Sequence, residues 1–341
     1  MKKKLFSSAG LPLLIVLCIF GLFVLCGCGE QEQTTLESSE GTAAEGSVAD
    51  DPLSLTESYI LSKVSDLPAG QTGVDWFFFG LARSGADVPE GLFATYEQSL
   101  ADSFAETDGV LSETKYTEYA RTAMVVAAMG FDPHNVGGYD IVLPLGDYDN
   151  TVRQGINGPI WALITLNGLG EEAPANPDAV TQATCAMYLQ AILDAQLEDG
   201  GFALTGTEAD SDVTAMALTA LSFYQTEENV AAAIERGLSC LSAIQDEDGG
   251  FSTYGEGTCE SNAQVLTALS SLNISVDDER FVKNGKTVYD ALLGYALEDG
   301  SFMHTASLGT ADQMATEQAF YAMIAKDRME NGLSALYAIS N

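Results

Sequence analysis

The sequence predicts an all-α fold in which six inner and six outer helices alternate around a closed ring. Two patterns predict it. The turn Asp-Gly-Gly-Phe at Asp199 recurs at Asp248 and, as Asp-Gly-Ser-Phe, at Asp299, and a period of about 50 residues indicates stacked copies of one supersecondary unit. Amphipathic stretches, such as residues 230–245, also alternate with stretches that are apolar on nearly every side, such as residues 212–224. A helix of the second kind must be enclosed, so it belongs to an inner layer.

The N-terminus predicts export and anchoring. Three lysines precede an apolar run at residues 11–25, which is the layout of a secretory signal. The run ends in Leu-Cys-Gly-Cys at residues 25–28, which resembles a bacterial lipobox. That resemblance implies cleavage before Cys28 and a lipid on its sulfur. We therefore expect residues 1–27 to be a lipoprotein signal peptide and the mature chain to be held outside the cytoplasm, anchored to the lipid bilayer through Cys28.

Residues 27–31 spell Gly-Cys-Gly-Glu-Gln, which resembles the internal-thioester motif of complement and α2-macroglobulin proteins. In that family the motif lies on packed helices, whereas here it adjoins a signal peptide. One cysteine does not carry both a lipid and a thioester. Lipidation is therefore the interpretation that we retain.

Residues 28–51 consist mainly of Glu, Gln, Ser, Thr, Gly and Ala. Such a composition cannot bury enough apolar surface to offset the entropy lost on ordering. The sequence therefore predicts a flexible, disordered tether, followed by one domain at residues 52–341.

The chain of 341 residues has a formal net charge of -35, and 46% of its residues are hydrophobic. The apolar share is adequate for a packed core. The charge repels polyanions, which argues against a nucleic-acid partner. Cys185, Cys240 and Cys259 are an odd set without close spacing, so we expect buried free thiols rather than a disulfide framework.

The helices of the domain separate at glycines and prolines, for example at Gly85 and Pro133, because these residues end or interrupt helices. The predicted outer helices are residues 54–64, 90–104, 139–154, 178–196, 229–245 and 282–297. The predicted inner helices are residues 75–84, 117–129, 158–166, 212–224, 260–272 and 315–325.

The Asp-Gly-Gly-Phe turns, which follow glutamines at positions 196 and 245, resemble the repeats of squalene and terpene cyclases and of protein prenyltransferase β subunits. The resemblance covers about residues 54–337 and implies an α6/α6 toroid. Residues 117–133, 154–166 and 212–221 resemble more narrowly the bacterial cell-surface proteins that carry the prenyltransferase/squalene-oxidase repeat. The transcobalamin and intrinsic-factor family is similar too, and that likeness leaves a corrinoid open as a ligand.

A candidate site lies where the inner helices begin. Each inner helix follows the loop from its outer partner, so the six N-termini surround one mouth. One equivalent position in the six helices is occupied by Asp75, Ala120, Asn157, Asp212, Glu260 and Met314. Helix capping accounts for polar residues there, but such a ring also suits a ligand whose apolar body enters the barrel. The candidate ligand-binding residues are Asp75, Trp76, Tyr119, Arg121, Asn157, Trp161, Asp212, Glu260, Asn262 and Glu317.

Residues 210–215, Asp-Ser-Asp-Val-Thr-Ala, resemble the Asp-x-Asp-Asp-Thr-Ala motif of class II terpene cyclases. The resemblance implies that Asp212 is a general acid and that Asp210 is its neighbour. Val213 stands where the motif has its third aspartate. Protonating an alkene needs a strongly acidic, well-positioned carboxyl. The substitution of Val213 for the third aspartate removes one of the neighbouring carboxyl groups on which that acid depends.

Prenyltransferases hold zinc with Asp-x-Cys and a later histidine. Cys259 and His304 are similar in position, but Gly257 replaces the aspartate, and zinc needs three or four good ligands. We therefore predict no metal site and no cofactor, with zinc or a corrinoid unsupported. His134 lies in a loop, and the sequence shows no partner for it.

Together these features predict a lipid-anchored binding module at the bacterial cell surface. Its ligand is expected to be a small hydrophobic or amphipathic molecule, or a partner protein. The alternative is a divergent isoprenoid cyclase or prenyltransferase-like enzyme that uses Asp212 as the acid.

Overall fold

The computed structural model describes residues 51–64, 74–253 and 255–340. The predicted signal peptide, the lipidation site Cys28 and nearly all of the tether lie outside these residues, so they stay predictions. The described part is mainly helical, with one two-stranded hairpin formed by β1 (Ser252–Thr253) and β2 (Glu256–Gly257). Within it, no helix has the length and apolar character needed to span a bilayer.

Twelve α-helices lie in the described residues, and the all-α prediction is confirmed. In chain order they are α1 (Pro52–Leu61), α2 (Asp75–Ser84), α3 (Leu92–Thr107), α4 (Tyr116–Ala128), α5 (Tyr148–Thr151), α6 (Asn157–Leu169), α7 (Cys185–Asp194), α8 (Ser211–Leu221), α9 (Glu228–Ile244), α10 (Cys259–Ser271), α11 (Val288–Leu293) and α12 (Gln313–Glu330).

The even-numbered helices form the inner layer. Each packs against the next, from α2 with α4 through to α10 with α12, and α12 packs against α2 to close the ring. The odd-numbered helices α7, α9 and α11 each pack on the inner helix that precedes them, and α1 packs on α12. The inner helices are apolar on almost every side because they contact an inner neighbour on both flanks and an outer helix behind.

The outer layer is less regular than the sequence predicts. One helix was expected over residues 139–154, but the structure has a 3₁₀ turn at Leu143–Gly146, the short α5, and a second 3₁₀ turn at Val152–Gln154. The backbone of Gly146 lies directly against the carbonyl of Pro174, which leaves no room for a helical side chain. This tertiary contact interrupts the expected helix.

Two other outer helices are shorter than predicted. Helix α7 starts only after Thr184, whose side chain caps it, because Gln182 donates hydrogen bonds to the carbonyls of Gly146 and Pro174 and holds the preceding segment extended. Helix α11 starts after Thr287, which forms a capping box with Asp290. A cap fixes the first helical residue.

The repeated turn connects an outer helix to the next inner helix. Gly200 has a φ of 91°, which only glycine adopts readily, and a Cβ there would lie 2.6 Å from the carbonyl oxygen of Arg236. The Asp199 carboxylate accepts a hydrogen bond from the Gly201 amide at 2.9 Å. The Phe202 amide donates to Thr214 Oγ1 of α8 at 2.9 Å, so the turn fixes where the inner helix begins.

The other two copies are built in the same way. The Asp248 and Asp299 carboxylates accept from the amides two residues on, and the amides of the following phenylalanines donate to Asn262 Oδ1 of α10 and Thr316 Oγ1 of α12. The aspartates thus bond to backbone groups of the turn. The phenylalanines of all three turns are buried in the core.

The C-terminal segment, residues 333–340, folds back across the end of the ring opposite the mouth. The Arg83 guanidinium donates to the carbonyls of Leu336, Ala335 and Ala338 at 2.8–3.0 Å. The amides of Ile339 and Ser340 both donate to the carbonyl of Gly168 at 2.9 Å. These bonds join the C-terminal ends of α2 and α6. Helical periodicity does not predict this closure.

Candidate functional site

A buried ion pair links the first two inner helices at the mouth. Asp75 at the start of α2 is fully buried. Its Oδ2 accepts from Arg121 Nε of α4 at 2.8 Å, and its Oδ1 accepts from the Tyr96 hydroxyl of α3 at 2.6 Å. Charge-assisted hydrogen bonds of this kind offset the desolvation of both groups.

Glu317 of α12 lies in the same region with an exposed fraction of 1%. Its Oε2 has no hydrogen-bond partner among the described residues. Burial raises the pKa of Glu317 to about 9; the positive charge of Arg121 opposes the rise, while Asp75, Asp312 and Glu260 add to it. Glu317 is therefore protonated at neutral pH, because desolvation disfavours its charged form.

Glu260 at the start of α10 is also buried, and it accepts from His304 Nδ1 at 2.8 and 2.9 Å. Burial raises the pKa of the Glu260 carboxyl, and the bond to His304 opposes that rise. The neighbouring thiol of Cys259 donates to the carbonyl of Ala315 at 3.6 Å, and burial raises its pKa. The described residues contain no group of three or more side chains arranged to hold a metal.

Asp210 and Asp212 have different surroundings. Asp210 is the N-cap of α8 and accepts from the Val213 amide at 2.9 Å. Asp212 is half-buried and accepts from the hydroxyls of Ser211 at 3.0 Å and Thr253 at 3.3 Å. Burial raises the pKa of Asp212, and hydrogen bonds from hydroxyls, including that of Ser261, partly reverse the rise. Hydroxyl donors stabilise the carboxylate, so a smaller fraction of Asp212 holds a proton than desolvation alone would give.

A polar layer thus surrounds the mouth, with one side chain from each inner helix. Asn157 of α6 contributes a second buried oxygen, since its Oδ1 has no hydrogen-bond partner among the described residues. The members of the polar layer are Asp75, Arg121, Asn157, Asp212, Glu260 and Glu317.

An aromatic layer lies one helical turn deeper. Trp161 follows Asn157 by four residues on α6, and Tyr321 follows Glu317 by four residues on α12, so each ring is on the same helix face about 6 Å further along the axis. The Trp76 ring lies 5.3 Å from Trp161 and 5.6 Å from Tyr321 between ring centroids. Trp161 is half-buried. The aromatic layer, Trp76, Trp161 and Tyr321, forms the apolar floor of the mouth.

Two predicted site residues have their polar groups bonded within loops. The Tyr119 hydroxyl accepts from the Leu111 amide at 3.1 Å, and Asn262 bonds the Phe251 amide and the carbonyl of Thr258. Neither side chain contributes to the polar layer. Gln264 belongs to the site and was not predicted; it donates to the Tyr321 hydroxyl at 2.6 Å. Its position four residues after Glu260 was the available signal.

His134 lies in the loop after α4, at the end away from the mouth, and the structure gives it two partners that the sequence did not show. Its two ring nitrogens contact Asp140 at 3.0 Å and Glu171 at 2.9 Å. Burial lowers the pKa of His134, but the bonds to the two carboxylates outweigh burial and raise it overall. The sequence gives no local hint of Glu171, which lies beyond the next inner helix.

A rim cleft of about 450 Å³ lies beside the mouth, between the loop before α8 and the β1–β2 hairpin. Asp210 and Thr253 are among its lining residues, and Thr253 bonds Asp212 of the polar layer. The cleft therefore adjoins the polar layer.

Comparison with known proteins supports the architecture. A family model for the prenyltransferase alpha-alpha toroid domain matches residues 130–288 and 232–330. No curated protein matches the sequence. The structure resembles an unsaturated glucuronyl hydrolase from Bacillus sp. GL1, with 12% identity, a TM-score of 0.51 and coverage of 84% of this chain and 97% of the hydrolase. At such identity the likeness shows the fold alone.

The structure also matches ent-copalyl diphosphate synthase from Streptomyces platensis, with 16% identity and a TM-score of 0.48. That match covers 81% of this chain and 50% of the synthase. The chain thus spans half the length of that enzyme.

Proposed function

We propose that this chain, which belongs to the prenyltransferase alpha-alpha toroid domain family, is a ligand-binding toroid. It holds a small amphipathic molecule at the mouth of its inner helices. The observation that carries the proposal is a pair of buried oxygens, Glu317 Oε2 and Asn157 Oδ1, without protein partners in the described residues. A buried polar group left unsatisfied costs about 1–3 kcal/mol. A polar ligand group that bonds to either atom recovers part of that cost.

The aromatic layer supports the apolar half of this ligand. Trp161 lies one turn below Asn157 and stays half-buried, so it offers apolar surface directly under the polar layer. Sites for small molecules combine mainly apolar walls with a few placed polar groups. The adjoining rim cleft offers a route of approach past Asp210 and Thr253.

The cyclase alternative depends on Asp212 as the acid. The hydroxyls of Ser211 and Thr253 bond its carboxylate, and Val213, in place of a third aspartate, is a buried apolar residue. The hydroxyl bonds favour the ionised carboxylate, which has no proton to donate, and Val213 supplies no further carboxyl group beside it. Binding is therefore the better-supported function.

Tryptophan fluorescence tests the binding site directly, because the two tryptophans of the chain are Trp76 and Trp161, both in the aromatic layer. We expect native mass spectrometry to find a molecule that co-purifies with the protein, and re-addition of that molecule to stripped protein to shift the emission. Asn157→Ala should weaken its binding about tenfold, which corresponds to about 1.4 kcal/mol.

Asn167→Ala is the matched control, because Asn167 lies at the other end of α6 and donates to the carbonyl of Leu163. Equal weakening by both variants would place the ligand elsewhere. Formation of a cyclised isoprenoid that Asp212→Asn abolishes would favour the enzyme instead.

The lipid anchor belongs to the same proposal. The predicted lipidation at Cys28 would hold the toroid at the outer face of the cell membrane. We expect the Cys28→Ser variant to move from the membrane fraction to the soluble fraction on cell fractionation. A variant that stays with the membrane would contradict lipidation at this residue.

A further inference from the structure

The groups that face Glu317 come from each inner helix packed around it. They are Asp75 of α2, Arg121 of α4, Glu260 of α10 and the N-cap Asp312 of α12 itself. The Tyr321 hydroxyl, one turn along α12, also interacts with Glu317 and Asp212. Three carboxyl groups and one phenol therefore face Glu317, against one cationic group, Arg121.

Arg121 is the cation of the polar layer, and Asp75 offsets its charge through the bond of 2.8 Å. His304, which is half-exposed, contacts Glu260 at 2.8 Å. After these pairings, Asp212 and Glu317 remain as carboxyl groups without a cationic partner among the contacts described above. The mouth therefore holds more carboxyl groups than cationic groups.

Resting on the proposed function, we propose that the mouth selects organic cations, with an ammonium head bound at the Glu317 carboxyl and an apolar body laid against Trp161. The Glu317 carboxyl, whose Oε2 has no hydrogen-bond partner among the described residues, supplies the negative charge that attracts such a head once its proton has left. Tryptophan is the aromatic ring that attracts cations most strongly. The acidic net charge of the chain also draws cations toward it.

A bound cation changes the protonation of Glu317. The free protein holds the Glu317 proton up to a pKa of about 9, whereas a positive head group favours the carboxylate. Binding therefore releases a proton at neutral pH. By linkage, the affinity for a permanent cation should rise as the pH increases toward 9, by up to about tenfold per pH unit, and should level off above it.

Three probes with one hexyl tail and different heads test this selection: hexyltrimethylammonium, which does not titrate, 1-hexanol and hexanoate. Tryptophan emission gives each Kd at pH 7, 8 and 9. We expect hexyltrimethylammonium to bind at least about tenfold more tightly than 1-hexanol at pH 9, and its Kd to fall from pH 7 to pH 9. Hexanoate should bind most weakly.

Glu317→Gln should remove the pH dependence for hexyltrimethylammonium and leave the Kd of 1-hexanol nearly unchanged. Glu330→Gln, an exposed site at the far end of α12, is the control and should keep the wild-type pH dependence. Equal affinity of the ammonium and the alcohol, or a pH-independent Kd for the wild type, would overturn the cation preference while leaving the binding proposal intact. Absence of any emission change with all three probes would overturn both.

Discussion

Replacing Glu317 by glutamine should stabilise the folded protein, and the gain should grow with pH. Burial raises the pKa of Glu317 from 4.5 to about 9 in the folded chain. Below pH 4.5 the carboxyl is protonated in both states, so its ionisation makes no difference to the free energy of unfolding. Between pH 4.5 and 9 the unfolded chain releases a proton that the folded chain retains. Stability therefore falls by up to about 1.4 kcal/mol for each pH unit, and the loss is complete above pH 9.

Denaturant unfolding at pH 5, 7 and 9 measures this effect. Glutamine does not titrate, so the difference in free energy between Glu317→Gln and the wild type should widen to several kcal/mol by pH 9, as an upper bound. Any hydrogen bond that the amide gains or loses shifts the difference equally at every pH, so the slope is the decisive quantity. Glu330→Gln should show almost no slope. A difference that stays constant with pH would contradict the protonated state of Glu317.

Tyr337→Ala should lower the free energy of unfolding of the toroid by about 3–5 kcal/mol, the usual loss when a large buried aromatic side chain is truncated. Tyr337 is 2% exposed. Its ring stacks on Phe79 at 5.6 Å and lies 6.0 Å from Trp161 and 6.4 Å from Trp76. The C-terminal segment thus supports the aromatic layer from the side opposite the mouth, and truncation leaves a cavity beneath it.

Tyr337→Phe is the matched variant, because it keeps the ring and should stay within about 1 kcal/mol of the wild type. Thermal and denaturant unfolding give the stability of both variants. Tryptophan emission of the folded state should change in Tyr337→Ala and not in Tyr337→Phe. Equal stability of the alanine variant and the wild type would show that the C-terminal segment does not support the ring.

Local signals were sufficient for the inner layer. The predicted inner helix at residues 75–84 coincides with α2, and the others differ from α4, α6, α8, α10 and α12 mainly in their ends. The reason is physical: an enclosed helix needs an apolar surface on every side, and that pattern is readable along the chain. The turns were equally readable, since Gly200 is demanded by its backbone conformation and Asp199 bonds an amide two residues away.

The outer layer and the floor of the ring depend on distant contacts. Gly146 ends its helix against the carbonyl of Pro174, and Arg83 bonds Leu336, which lies 253 residues along the chain. Neither interaction produces a repeating hydrophobic pattern in the sequence near these residues, so helical periodicity does not predict it.

By itself, then, the sequence determined the all-α class, the repeat, the turns and the polar type of residue at the start of several inner helices. The tertiary structure decided which of these polar residues meet. Asp75 and Arg121, which are 46 residues apart in the sequence, form an ion pair. Asn262 instead accepts a hydrogen bond from the Phe251 amide in a turn. The tertiary structure also decided the protonation of Glu317, because a carboxyl group keeps its proton at neutral pH when folding removes it from water, and nearby carboxyl groups strengthen that effect.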